Sequence, residues 1–437
     1  MNALAEQSNK IIQHENLFVY EMLSDLGKKM YEPKGILSQS AEAGKKAYRF
    51  NATIGIATEE QEPMHFEHIQ KQFNSYAPKD IYPYAPPSGK QALRKAWKEK
   101  LLTDNPSMRS YHMGLPIVTN ALTHGLSITA DLFTDTGDTV IVPDKYWGNY
   151  QSIFTLRRGA QLATFPLFNE ENCFHTHALK AVLLQQKEAG KAIVLLNFPN
   201  NPTGYTPSEK EMSAIAAVLE EAAQEGINIV TILDDAYFGL FYEDSSQESL
   251  FGKLAGLHPR ILPVKIDGAT KENYVWGLRV GFITYGSSSS LLLEALEKKT
   301  NGIIRGTISS GSHLSQTVIL NSLQSPEYVR EKQEKFELMK CRANKVKELL
   351  SQEEHNPYWS YYPFNSGYFM CLQLKEVNAE TLRLHLLNEY GVGVVAINST
   401  DLRVAFSCVE EQDIEELFKF IFKGIKDLTE SALAGKV

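Results

Sequence analysis

Short, continuously apolar runs separated by helical stretches constrain the middle of this chain more than any other feature. They fall at 116–119, 139–143, 192–196, 229–233, 262–266 and 281–285. A half-exposed strand alternates apolar with polar residues, whereas a strand covered on both faces is apolar throughout. Helical segments such as 209–225 lie between the runs. The pattern predicts an α/β layered unit with a mainly parallel sheet between helices. Open sheets of that kind bind ligands just beyond the carboxyl ends of their strands, so chemistry is sought there.

The remaining segments group around this unit. Residues 1–45 read as an N-terminal arm, with one amphipathic helix over about 1–35 that ends near Pro33-Lys-Gly35. Residues 46–70 form a segment of a smaller domain, 71–315 the large α/β domain, and 316–437 a small C-terminal α+β domain. The last begins with a long charged helix from Pro326 to about Gln352, proline being favoured in a first helical turn. Strands at 367–374 and 402–406 follow, around a helix over 379–390.

Composition narrows the partners. A net charge of −8 leaves no basic footprint for nucleic acid or an anionic membrane. No uncharged apolar run reaches membrane-spanning length, and the polar N-terminus lacks the apolar core of a signal peptide. Cys173, Cys341, Cys371 and Cys408 are far apart with no CxxC spacing, which argues against a zinc site or a disulfide framework and suits a reducing compartment. A soluble, cytoplasmic protein with no metal is expected.

The residues beyond the runs carry the chemistry. Lys271 stands in Gly268-Ala-Thr-Lys271-Glu-Asn-Tyr-Val-Trp-Gly277-Leu-Arg279-Val-Gly281. A neutral lysine amine forms a Schiff base with an aldehyde, and a nearby arginine can hold a phosphate in forked geometry. Aldehyde and phosphate together describe pyridoxal phosphate, although a buried structural lysine and arginine would give the same run. Asn197-Phe-Pro-Asn-Asn201-Pro-Thr-Gly204 is either a plain turn or a rigid mount for an Asn201 donor to a ring oxygen. In Asp234-Asp235-Ala236-Tyr237 a carboxylate can hold a pyridine nitrogen protonated beside a phenol, which makes the ring an electron sink; helix-capping aspartates are the alternative. The turn Thr119-Asn-Ala-Leu-Thr123 can bind phosphate at a helix start or simply cap the helix. Trp147 offers a flat indole for stacking or for the core. Arg403 interrupts an apolar strand and needs an anion, either a substrate carboxylate or a structural aspartate.

Together, in order and spacing over about residues 50–410, these motifs resemble the class I aminotransferases of fold type I, pyridoxal-phosphate-dependent enzymes. Within them the bacterial aspartate and aromatic amino acid enzymes are the most similar. The resemblance implies a three-layer α/β large domain plus a smaller α+β domain, pyridoxal 5'-phosphate as cofactor, and a homodimer with shared active sites. It implies that Lys271 carries the cofactor and then moves the proton. Asp234 would hold the pyridine nitrogen, Tyr237 and Asn201 the phenolic oxygen, and Trp147 the ring face. Leu122 through its amide, Thr123, Thr270 or its neighbours, and Arg279 would bind the phosphate, joined by Tyr84 from the other subunit. Arg403 would clamp the α-carboxylate, with Trp147, Asn201 and the Ala57 backbone also against the substrate. An amino acid and a 2-oxo acid such as 2-oxoglutarate would react in ping-pong order.

Departures from the family pattern are Gly268 in place of a serine, Ala121 in the phosphate turn, Ala57 for a second glycine, and Tyr150 where aspartate enzymes carry a histidine behind the aspartate. Arg305 matches the placement of the arginine that, in aspartate enzymes, reaches the side-chain carboxylate from the partner subunit; a surface arginine ending a helix is the alternative. Aspartate, aromatic substrates or both are therefore expected. A lyase or decarboxylase on the same fold shares Lys271, Asp234 and Arg403. A non-catalytic regulator would carry a basic DNA-binding module that the first 50 or so residues do not show, and a dinucleotide-dependent dehydrogenase lacks its GxGxxG.

Overall fold

The computed structural model describes residues 2–31, 35–109, 112–243, 245–352 and 357–434. Its central sheet has seven strands: β1 (Ile117–Asn120), β2 (Thr139–Pro143), β3 (Gln161–Phe165), β4 (Lys191–Asn197), β5 (Asn228–Asp234), β6 (Ile261–Gly268) and β7 (Val280–Tyr285). They are ordered β1-β7-β6-β5-β4-β2-β3. All run parallel except β7, which is antiparallel to β1 and β6. Each apolar run of the sequence became a strand, and β7 is buried along its whole length. The edge strand β3 escaped that reading because one side of it meets solvent and its residues are mixed in character.

The N-terminal segment forms three short helices rather than one: α1 (Ala3–Glu15), α2 (Leu17–Met22) and α3 (Asp25–Lys29). Asn16 is the reason for the first break. Its backbone is extended, and its side-chain oxygen accepts the amides of Phe18 and Val19, starting a new helix. Ser24 does the same for α3 through the amide of Gly27. Pro33 and Lys34, where the single helix was expected to end, lie outside the described residues.

Beyond β1 runs α4 (Ala121–Phe133), and α5 (Glu209–Gln224) follows β4, started by a reciprocal Ser208–Glu211 capping box. Lys271 sits on the one-turn helix α6 (Ala269–Glu272) directly after β6. Arg305 ends α7 (Ser290–Thr307), and the long α8 (Tyr328–Gln352) starts just after the turn containing Pro326. A second, antiparallel sheet contains β8 (Trp359–Tyr361), β9 (Phe369–Leu374), β10 (Val395–Ala396) and β11 (Asp401–Ala405), in the order β8-β9-β11-β10. Residues 50–52 join this part of the molecule: Phe50–Asn51 pairs with Val392–Gly393, and the Ala52 carbonyl accepts the amide of Ala405. Among the described residues no helix is long and apolar enough to cross a membrane.

The two sheets meet at the loop after β4. Gly204 there has φ +78°, and its carbonyl accepts the amides of Asn365 and Ser366, both at 2.9 Å. A Cβ at this position would stand 2.0 Å from the Phe369 carbonyl oxygen. Gly204→Ala therefore combines left-handed strain with a backbone clash. Thermal denaturation should show a loss of about 3 kcal/mol or more; an unchanged melting temperature would show that this loop does not hold the sheets together.

Candidate active site

The ends of β4 and β5 set the frame. Asn197 and Asp234 are register partners, and the Asn197 side chain donates to the Asp234 carbonyl at 2.6 Å. Its oxygen accepts the Asn201 amide at 2.7 Å, which fixes the loop carrying Asn201. The Asn201 side-chain oxygen in turn accepts from Arg403 Nη1 at 2.9 Å. A chain of hydrogen bonds thus runs from one sheet to the other.

Arg403 is 1% exposed. Nη2 donates to the Thr53 carbonyl at 2.8 Å, the guanidinium lies 4.1 Å from the Phe369 ring centroid, and Nε has no partner. No carboxylate among the described residues forms an ion pair with it, so the structural aspartate considered from the sequence is not there. Burial lowers its pKa to about 10. A buried guanidinium held by neutral acceptors alone favours an incoming anion.

Asp234 is buried, and its Oδ2 accepts the Tyr150 hydroxyl at 2.6 Å while Oδ1 has no partner. Burial pushes its carboxyl up to about 6, against the Tyr150 hydrogen bond and the charge of Lys271. No helix starts here, so these aspartates are not caps; Asp235 turns inward to Lys265 and Ser249. Lys271 Nζ lies 5.3 Å from the centroid of the Tyr237 ring. Burial lowers the Lys271 amine to about 8, with Asp234 opposing and Arg279 assisting. Desolvation thus gives the nucleophilic, uncharged amine a substantial population near neutrality.

Opposite, β6, β7 and the start of α4 converge closely. A Cβ on Gly281 would lie 2.7 Å from the Ala121 carbonyl carbon and 3.0 Å from the Leu122 nitrogen. Ala121 adopts φ +63° to turn from strand into helix. The first-turn amides of α4, including those of Leu122 and Thr123, therefore lie beside the turn of Thr270, whose hydroxyl donates to the Val280 carbonyl at 3.4 Å. Arg279 follows at φ +55°, exposed, its Nη1 3.4 Å from the Trp276 carbonyl, with no carboxylate partner among the described residues. Such a helix start with a free guanidinium suits a phosphate.

Trp147 is half-buried and meets Tyr150 edge-on, with centroids 5.6 Å apart. Ala57 is fully buried and its carbonyl accepts the Met64 amide, while a Cβ added at Gly55 would lie 3.5 Å from the Tyr237 hydroxyl. Two anticipated residues stay outside this cluster within one chain: Tyr84 is 95% exposed, and Arg305 is exposed and bonded to the Ser309 hydroxyl. The sequence reading missed Thr53 and Phe369 around Arg403. Their contacts bridge distant parts of the chain and leave no local signal.

Pyridoxal phosphate fits these residues. Asp234 Oδ1 is an unpaired buried acceptor for a ring N–H, Lys271 an amine of lowered pKa, and the α4 start with Arg279 a phosphate cradle. The comparisons agree. A "Probable aspartate/prephenate aminotransferase" of Rickettsia conorii is 27% identical over 355 residues, 77% of this chain and 81% of that protein. One of Aquifex aeolicus is 25% identical, covering 76% and 81%. Among solved structures, an aminotransferase from Anaerococcus prevotii superposes with a TM-score of 0.83 at 23% identity, covering 92% of this chain and 99% of its own. The fold is thus that of the pyridoxal-phosphate-dependent aminotransferases. Residues 53–421 match the family "Aminotransferase class I and II", and the chain belongs to it: it is a pyridoxal-phosphate-dependent transaminase.

The lowered amine gives a signed pH dependence. In the cofactor-free protein, the rate at which added pyridoxal phosphate becomes covalently attached should rise with pH through about 8 and level off above it. Stopped-flow absorbance reads this directly. A rate still climbing through 10 would show an ordinary solvated lysine, and Lys271→Ala should attach none.

Proposed function

We propose that the protein transfers the amino group of aspartate, an aromatic amino acid or both to a 2-oxo acid such as 2-oxoglutarate, in ping-pong order, as a cytoplasmic homodimer. The observation that supports an amino acid and its oxo acid as substrates is Arg403, buried beside Asn201 with no carboxylate among the described residues against it. Bound pyridoxal phosphate supplies the aldehyde that takes up the amino group and a protonated ring that withdraws electrons. Everything else falls to the protein. Lys271 would hold the cofactor and, as a free amine, would take and return the proton at the substrate Cα as general base and acid. Asp234 would keep the ring nitrogen protonated through Oδ1, while Tyr237 and Asn201 would serve the phenolic oxygen. Trp147 covers the ring. The Leu122 amide, Thr123, Thr270 and Arg279 hold the phosphate, with Tyr84 of the partner copy. Arg403 fixes the α-carboxylate, and the Ala57 backbone bounds the substrate.

Two observations support a dimer. Tyr84 and Arg305 point to solvent in one chain, and the N-terminal helices expose Phe18 at 69% and Met22 at 79%. Large apolar side chains left this open are covered most simply by another copy. In this reading residues 1–45 are an arm, 46–70 and 316–437 a small domain, and 71–315 the large one. Nothing in the site favours a lyase or decarboxylase instead.

Mixing the holoenzyme with single amino acids tests the reading by absorbance, since amino transfer converts the bound cofactor to its amine form. Conversion is expected with aspartate or an aromatic amino acid, and failure with every amino acid would refute it. Arg305→Ala should lower kcat/KM for aspartate by about 10- to 100-fold and leave phenylalanine nearly unchanged. Unchanged values for both would remove the distal-carboxylate role.

A further inference from the structure

The connection between the two sheets holds a second bridge that none of the assigned roles uses. Lys145 lies two residues before Trp147, in the loop after β2. Its Nζ reaches Asp401 Oδ2 at 2.9 Å, with the lysine side chain 13% exposed and the aspartate 0%. Asp401 starts β11, two residues before Arg403, so both side chains belong to the same face of that strand. The ammonium also lies 4.8 Å from the Tyr362 ring centroid and 3.4 Å from Asp144.

Each end of the pair is built in. Asp401 Oδ1 accepts Tyr362 Oη at 3.0 Å and Thr400 Oγ1 at 3.1 Å, and Oδ2 also accepts Asn398 Nδ2 at 2.9 Å. The Lys145 carbonyl accepts Asn200 Nδ2 at 3.0 Å, and Asn200 is itself locked by the Thr203 amide and hydroxyl. Consecutive asparagines thus serve the two sheets in parallel: Asn201 accepts from Arg403, and Asn200 holds the residue that donates to Asp401. The Lys145 pKa is raised by its partners despite burial, so the ammonium stays charged across the working pH range.

We propose that Lys145 is a positioning residue for substrate binding: its ion pair with Asp401 fixes the strand bearing Arg403 against the loop bearing Trp147. This rests on the reading that Arg403 takes the substrate carboxylate while Trp147 covers the ring. Substrate must meet both at once, and they belong to different sheets. An ion pair two residues from each sets the spacing between them before substrate arrives. Because amino acid and oxo acid share the carboxylate, loosening the bridge weakens both ground state and transition state, which raises KM and spares kcat.

The test uses the holoenzyme with Lys145→Met, which keeps the aliphatic stem and leaves Asp401 its three other donors. Half-reactions are followed by cofactor absorbance with L-aspartate, L-phenylalanine and, in reverse, 2-oxoglutarate. Half-saturating concentrations should rise about tenfold for each substrate that turns over, with maximal rates within about twofold and cofactor affinity unchanged. Lys145→Arg, which keeps the pair, should restore them. A rise of less than about threefold, or a loss of maximal rate and cofactor affinity together, overturns the proposal. Arg403→Lys in parallel separates the two readings. If it leaves half-saturation unchanged, the carboxylate assignment fails and takes this one with it; if it raises half-saturation while Lys145→Met does not, only the bridge fails.

Discussion

A guanidinium held away from water, with no carboxylate among the described residues against it, is the constraint around which this molecule is arranged. Removing a cation from water costs several kcal/mol even after relaxation. Arg403 recovers part of that from neutral partners only: the Asn201 side chain, the Thr53 carbonyl and the face of Phe369. Those partners come from three separate parts of the chain, so the loop after β4, the segment near residue 53 and β9 must converge for the arginine to be tolerated. The same string of hydrogen bonds continues through Asn197 to Asp234 and Tyr150. The charged groups of Arg403 and Asp234 are thereby held in one frame.

Much of the frame was legible because burial writes itself into sequence. Strands covered on both faces are apolar throughout, and the residues at or just past the ends of β4, β5 and β6 supplied Asn201, Asp234 and Lys271. Where burial is partial the signal fades, as at the edge strand β3. Where polar capping competes with periodicity it misleads, as at Asn16, which divides the expected long helix. Contacts across hundreds of positions leave no local trace. Phe369 beneath Arg403 and Lys145 against Asp401 are of that kind. Tyr84 and Arg305 form another class, since within one chain neither reaches the cluster.

The departures from the family pattern also acquire physical causes. At Gly268 a Cβ would stand 2.6 Å from the Val280 carbonyl oxygen and 2.7 Å from the Gly281 Cα. A serine there is excluded by packing, not merely replaced. The backbone φ of 168° is ordinary extended geometry, so the demand is for space. Gly281 meets the same limit from the other side against Ala121 and Leu122. The turn at the start of α4 is drawn tight by backbone against backbone, which leaves its first amides as the donors available where a hydroxyl is excluded.

Tyr150 is the departure with most bearing on chemistry. A histidine behind a carboxylate can carry a proton of its own and share the negative charge. The Tyr150 phenol is buried, with its pKa raised well above the ordinary value, so it donates one hydrogen bond and stays neutral. The Asp234 carboxylate is left with Oδ2 occupied and Oδ1 free. Burial lifts its carboxyl to about 6, and a pyridinium placed against Oδ1 would oppose that shift and favour the ionised form. A neutral donor therefore directs the charge of the carboxylate to one oxygen and one partner.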